Sequence, residues 1–127
     1  MRALLPLLLL LAAPAGAVGL GPLHKEGIVD GPKKGFYLTL LNPYDQAVDY
    51  IAYAVDAEDE TPNARVLILP AETRLGAHQN RRLLVIAKGL SVGETFVFRV
   101  CAQRKQPPEG IAINARVCSK LTARRVA

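Results

Sequence analysis

Residues 66–100 read VLILPAETRLGAHQNRRLLVIAKGLSVGETFVFRV, and this stretch decides the fold. Val66 to Leu69 is a short apolar run closed by Pro70. Residues 83–87 (LLVIA) form a second run and residues 96–100 (FVFRV) a third. Each run has the length of a strand rather than a helix, and Gly76, Gly89 and Gly93 punctuate the intervals. Strands recurring without helical segments between them argue for an antiparallel sandwich, not a β-α-β fold. Working outward, residues 35–41 (GFYLTLL) read as a strand stopped by Asn42-Pro43. Residues 48–55 (VDYIAYAV) read as another, with Tyr50 and Tyr53 on opposite faces. Ile28 and Val29, ahead of Asp30-Gly31, suggest a short edge strand. The acidic segment 56–63 (DAEDETPN) reads as a surface loop. The expected fold is all-β: an immunoglobulin-like antiparallel sandwich of about seven strands.

The N-terminus has the form of an address. Met1 and Arg2 precede a leucine-rich stretch, residues 3–13, followed by small-x-small sites at Ala13-Pro14-Ala15 and Ala15-Gly16-Ala17. Residues 1–17 are therefore expected to be a signal peptide and residues 18–127 one sandwich domain of about 110 residues. The uncharged run continues to Leu23, so a retained anchor is the alternative. Six prolines and glycines between Pro6 and Pro22 break it as a spanning helix, so no transmembrane segment is expected after cleavage. No cysteine follows the leader to carry a lipid. The protein is expected to be exported: periplasmic in a Gram-negative cell, secreted otherwise.

Export makes Cys101 and Cys118 readable as a disulfide. Alternation puts Phe96, Phe98, Val100 and Ala102 inward and Val97, Arg99 and Cys101 outward. On the following segment Ile111, Ile113, Ala115 and Val117 point inward, leaving Arg116 and Cys118 outward. Residues 105–110 (KQPPEG) form the turn between them, so both thiols share the outer face of one hairpin. Metal or redox roles fit poorly, because CxxC spacing and a nearby histidine are both missing.

Charge is uneven along the chain, whose net value is +5. Residues 18–73 hold four basic and nine acidic side chains, whereas residues 74–127 hold eleven basic and two acidic. With Cys101 paired to Cys118, Arg99 falls opposite Lys120 and Arg116 opposite Gln103. Arg99, Arg116 and Lys120 thus become candidates for binding an anion, such as an anionic envelope polymer or lipid headgroups. The competing reading is solubility and protection of an exposed strand. Nucleic acid is not an expected partner, since no recognised motif or aromatic platform accompanies the arginines.

Nothing points to catalysis or to a cofactor. His24 and His78 are expected in loops, and neither a GxSxG elbow nor an HExxH motif occurs. Glu58, Asp59 and Glu60 read as solvated acids without an EF-hand pattern, so no metal site is expected.

The order of segments resembles the N-terminal domain of the periplasmic chaperone–usher pilus-assembly chaperones. Residues 28–31 (IVDG), followed by residues 36–43 ending in Asn-Pro, resemble that family's early strands and Asn-led turn. Residues 66–70 (VLILP), Arg74-Leu75 and residues 82–85 (RLLV) resemble its passage of strand, proline, Arg-Leu and basic-apolar strand. Residues 93–100 (GETFVFRV) resemble the aromatic strand that follows, and residues 111–117 its alternating last strand. The resemblance implies a non-catalytic domain that binds a pilin-like or envelope subunit by strand addition, with Ile111, Ile113, Ala115 and Val117 as strand donors. The competing reading packs those four into this domain's own core. The family's subunit-anchoring arginine falls at His24 or Glu26 and its lysine at Cys118, a departure for which Lys120, Arg124 or Arg125 would have to substitute. These chaperones also have two domains. The alternative function is a small structural or adhesive envelope protein contacting an anionic surface through a basic sheet face.

Overall fold

The computed structural model describes residues 19–107 and 115–127. Nine strands form two sheets, and the described residues contain no helix. Sheet A is ordered β1 (Gly19–Gly21), β3 (Lys34–Leu41), β7 (Asn80–Ala87) and β5 (Val66–Leu69). Sheet B is ordered β2 (His24–Val29), β9 (Arg116–Arg125), β8 (Thr95–Arg104), β4 (Val48–Asp56) and β6 (Glu72–Leu75). The immunoglobulin-like all-β expectation holds, with two additions. β1 and β6 were not read as strands; the chain passes from sheet A to sheet B directly after β1 and directly before β6. These two changes of sheet fall at the cis bonds Gly21–Pro22 and Leu69–Pro70. The expected leader, residues 1–17, lies outside the described residues, as do residues 108–110 of the expected turn.

Strict alternation builds the core. Phe36, Leu38 and Leu40 of β3 face Phe96, Phe98 and Val100 of β8, with Leu83 and Val85 of β7 and Leu121 of β9 between them; all are buried. Phe96 and Phe98 stack at 4.9 Å, and Phe98 meets Phe36 edge-on at 6.3 Å. Each fully buried side chain of this kind contributes roughly 1.5–3 kcal/mol.

Two polar side chains are fully buried among the described residues, Asn42 and Ser119, and Asn42 makes the larger set of hydrogen bonds. Asn42, fully buried, ends β3. Its Nδ2 donates to the carbonyls of Gln46 (2.9 Å), Leu75 (3.2 Å) and Gly76 (2.9 Å), and its Oδ1 accepts from Tyr44 N–H (3.1 Å) and the Tyr50 hydroxyl (2.8 Å). Burial, with Tyr44 nearby, pushes the Tyr50 hydroxyl up to about 12, so it stays a donor.

At the opposite end, Arg65 clamps three segments. It donates to Glu94 through both terminal nitrogens at 2.9 Å, to the carbonyls of Lys88 and Gly89, and lies 4.2 Å from the Phe96 ring centroid. The Arg65 hydrogen bonds, helped by Ser91 N–H, pull the Glu94 carboxyl from 4.5 down to about 2. A depressed carboxyl stabilises the fold above its unfolded value, and that contribution is lost as pH falls. Melting temperature is therefore expected to decline between about pH 4.5 and 2, and Glu94→Gln to flatten that part of the profile. An unchanged slope in the variant would show that other carboxyls dominate.

Candidate strand-binding edge

Among the described residues, the order of sheet B leaves the first four residues of β9 with a neighbouring strand on one side only. β8 pairs with β9 from Gln103 opposite Arg116 to Thr95 opposite Arg124. β2 runs parallel on the other flank, but its register begins with His24 opposite Lys120 and ends with Val29 opposite Arg125. Residues 116–119 therefore have no described strand on that flank. Lys120 N–H donates to Leu23 O at 2.8 Å, which fixes the pattern: main-chain groups of even-numbered β9 residues point toward β2. By that alternation the N–H and C=O of Arg116 and Cys118 point out along the open edge. The Ser119 hydroxyl closes the boundary by donating to Pro22 O.

A Cys101–Cys118 disulfide lies beneath this edge, as parity predicts. The same alternation makes the two cysteines a non-hydrogen-bonded pair, in which strands approach closely, and their Cα atoms are 4.0 Å apart. The Cys101 side chain is outward-facing yet wholly buried. Tyr53 of β4 is its neighbour in register on the other side.

Arg99, Arg116 and Lys120 come to the outer face of sheet B in the anticipated register, Arg99 opposite Lys120 and Arg116 opposite Gln103. Two of them already have an anion. Glu60, from the loop after β4, binds Arg116 Nη2 and lies 4.0 Å from Arg99 Nη1. The Arg116 guanidinium also reaches Tyr53 Oη, which donates to Gln103 Oε1 at 2.9 Å. These contacts with Tyr53 and Glu60 hold the Arg116 guanidinium above its ordinary value. Glu60 stays exposed, as its run suggested, but it is ion-paired rather than free. The pattern extends across the face: Asp49 binds Arg74 at 3.0 Å and Glu72 binds Lys105 at 3.2 Å. The acidic first half of the chain and the basic second half meet on one sheet and pair.

The strand-donor candidates divide. Ile111 and Ile113 lie outside the described residues. Ala115 is exposed and lies just ahead of β9 (Arg116–Arg125); Val117 is half-buried against this domain's own core. Instead, β9 places Leu121 and Ala123 in the core, residues the sequence reading had not assigned. His24 belongs to β2 rather than a loop, and its Nε2 lies 3.6 Å from Glu26. His78 does sit in a turn, 2.6 Å from Asp45. Cys118, at the anchoring-lysine position, is committed to the disulfide. Lys120 lies opposite His24, while Arg125 donates to Leu90 O at 2.8 Å. Among the described residues no group of three or more histidine, cysteine or acidic side chains is placed to hold a metal, and no helix is long and apolar enough to cross a membrane.

No family model matches the sequence, and no curated protein matches it. Solved structures share its fold. A chain in the complex of the Salmonella enterica SafA pilin with the SafB chaperone superposes with a TM-score of 0.73 at 23% identity, over 91% of this chain and 58% of that one. The E. coli chaperone DraB gives 0.69 at 21%, over 86% of this chain and 55% of DraB. PapD-like domain 7 of human CEP192 gives 0.64 at 11%, over 99% of this chain and 94% of that domain. The chain thus spans a little over half the length of the two bacterial chains and almost all of the human domain. Its fold is that of an immunoglobulin-like domain of a pilus chaperone.

Proposed function

We propose that this protein is an exported, non-catalytic immunoglobulin-like domain that binds a pilin-like or envelope subunit by strand addition during surface-appendage assembly. The observation that carries the reading is the open flank of β9 at residues 116–119, where main-chain donors and acceptors face outward. An extended segment of a partner bonds to such a flank through its backbone, while alternate side chains supply specificity. The fold is shared with proteins crystallised with a pilin and with tip adhesin subunits, which supports the same class of partner here. Ile111, Ile113 and Ala115 are the side chains assigned to the partner's groove; Val117 remains with this domain's core.

The alternative, an anionic envelope polymer held by Arg99, Arg116 and Lys120, loses support because Glu60 supplies the anion to the two arginines. The two readings part in one experiment. Subunits are captured from the exported fraction on the immobilised protein and washed in high salt, which screens exposed charge. Ile113→Asp should lower capture at least about tenfold, a loss of about 1.4 kcal/mol, with the melting temperature unchanged. Replacing Arg99 and Arg116 by glutamine should leave capture intact. A variant Ile113→Asp that unfolds the domain assigns that residue to the core, and salt-labile capture sensitive to the arginines returns the basic-face reading.

A further inference from the structure

Cys101 lies on the outer face of sheet B, yet solvent does not reach it, while Cys118 beside it is partly exposed. Parity names their neighbours on that face. Arg99 and Gln103 stand on either side of Cys101 along β8, Arg116 and Lys120 on either side of Cys118 along β9, and Tyr53 is in register on β4. Polar contacts join these neighbours through Glu60. Tyr53 Oη donates to Gln103 Oε1 at 2.9 Å, Arg116 Nη1 donates to Tyr53 Oη at 3.4 Å, Arg116 Nη2 donates to Glu60, and Glu60 lies 4.0 Å from Arg99 Nη1. The contacts run from Gln103, one side of Cys101, to Arg99 on the other. They therefore cross the row that holds both cysteines, on its solvent side.

Glu60 reaches this position at a cost. Its backbone is left-handed, φ 58°, a conformation that a Cβ disfavours and that glycine adopts freely. The loop is braced there: Asp56 N–H donates to Thr61 O at 2.8 Å, Glu60 N–H to Asp56 O at 3.2 Å, and the Thr61 N–H and hydroxyl to the Asp59 carboxylate. A turn that only reverses the chain has no need of glutamate at this residue. Delivery of a carboxylate to Arg116 and Arg99 does need it.

We propose that the strap formed by Glu60, Arg116 and Tyr53 is a lid that shields the Cys101–Cys118 disulfide from thiol exchange. Exchange begins when a thiolate attacks Cys118 Sγ, the less covered sulfur. The S–S bond breaks, its electron pair leaves on Cys101 Sγ, which takes up a proton, and a second thiol resolves the mixed disulfide. Access to the attacked sulfur controls the rate. The lid acts in the free domain, independently of any partner strand, and protects the covalent tie on the open half of β9.

The oxidised protein is reduced with dithiothreitol and, separately, with uncharged tris(hydroxypropyl)phosphine, which ends as the phosphine oxide while water supplies the oxygen and both thiol protons. Free thiols are counted over time by alkylation and mass measurement. Glu60→Gln should be reduced about three- to fivefold faster by both reagents, the population change that an exposed ion pair can produce. In the phosphine, Arg116→Gln should match it, and the double variant should be no faster than either single one. Glu60→Gly should be reduced as fast with its melting temperature held or raised, since glycine relieves the left-handed strain. High salt should bring wild type up to the rate of Glu60→Gln in the phosphine and leave that variant unchanged. Rates that ignore the substitutions overturn the proposal. Acceleration by dithiothreitol alone makes charge, and not cover, the cause and overturns it as well. Rates that follow melting temperature across the variants assign reduction to global unfolding and overturn it equally.

Discussion

Replacing Asn42 by alanine is expected to lower the melting temperature by roughly 15 °C or more, from a loss of at least about 4 kcal/mol. The side chain is fully buried and ties the end of β3 to the Tyr44 loop, to Tyr50 on β4 and to the turn after β6. Alanine removes all five bonds at once; the Gly76 carbonyl keeps the Gln79 N–H, and each of the other groups costs about 1–3 kcal/mol where it is buried and water cannot replace the partner. Tyr50→Phe removes only one of these partners and should cost about 1–2 kcal/mol. The double variant should then be less damaging than the sum of the singles, because no tyrosine hydroxyl is left unpaired. Urea unfolding of the four proteins gives the coupling directly. Strict additivity, or a loss below about 1 kcal/mol for Asn42→Ala, would show that water takes over these bonds.

Asn42 also marks a limit on what the sequence discloses. An Asn-Pro pair announces that a strand stops; that the amide then turns inward and serves five partners depends on β4 and the β6–β7 turn arriving around it. The strands that were legible are those whose burial alternates: β3, β4, β7 and β8 carry an apolar residue at every second position. β1 has one buried leucine and β6 one, too short a pattern for a period to register. β2 (HKEGIV) shows only its last two residues as a strand, because it is held by main-chain pairing to β9, almost a hundred residues away. For the site, cysteine parity was sufficient to set the β8–β9 register and so to place Arg99 beside Lys120. It could not reveal Glu60, which looks like one acid in a polar loop until the fold sets it against Arg116. Reading the last strand by alternation alone also gave no sign that its parallel flank begins only at Lys120, four residues after the first described β8–β9 pair at Arg116.

Removing the disulfide should destabilise the domain by about 3 kcal/mol, the chain entropy released when a loop of this length is opened in the unfolded state. The two cysteines are 17 residues apart. Alanine is the suitable replacement for both, because Cys101 is wholly buried and serine would leave a hydroxyl without a partner. The loss should also be uneven. Residues 120–125 of β9 are held on both flanks, by β2 and by β8, whereas among described strands residues 116–119 pair with β8 alone and are otherwise tied by the disulfide, the Ser119 hydroxyl on Pro22 O, the half-buried Val117 and an exposed ion pair with Glu60. Exposed pairs contribute at most about 1 kcal/mol, so the disulfide is the principal tie on the open half. Hydrogen exchange should therefore accelerate most at the Val117 and Ser119 amides, beyond the change at Leu121 and Ala123 that global destabilisation produces. Reduction of the wild-type protein should reproduce both effects. A uniform acceleration along β9 would mean that the disulfide supports the whole sandwich without specifically holding the open edge. An unchanged melting temperature would mean that the β8–β9 ladder and core packing hold this strand without it.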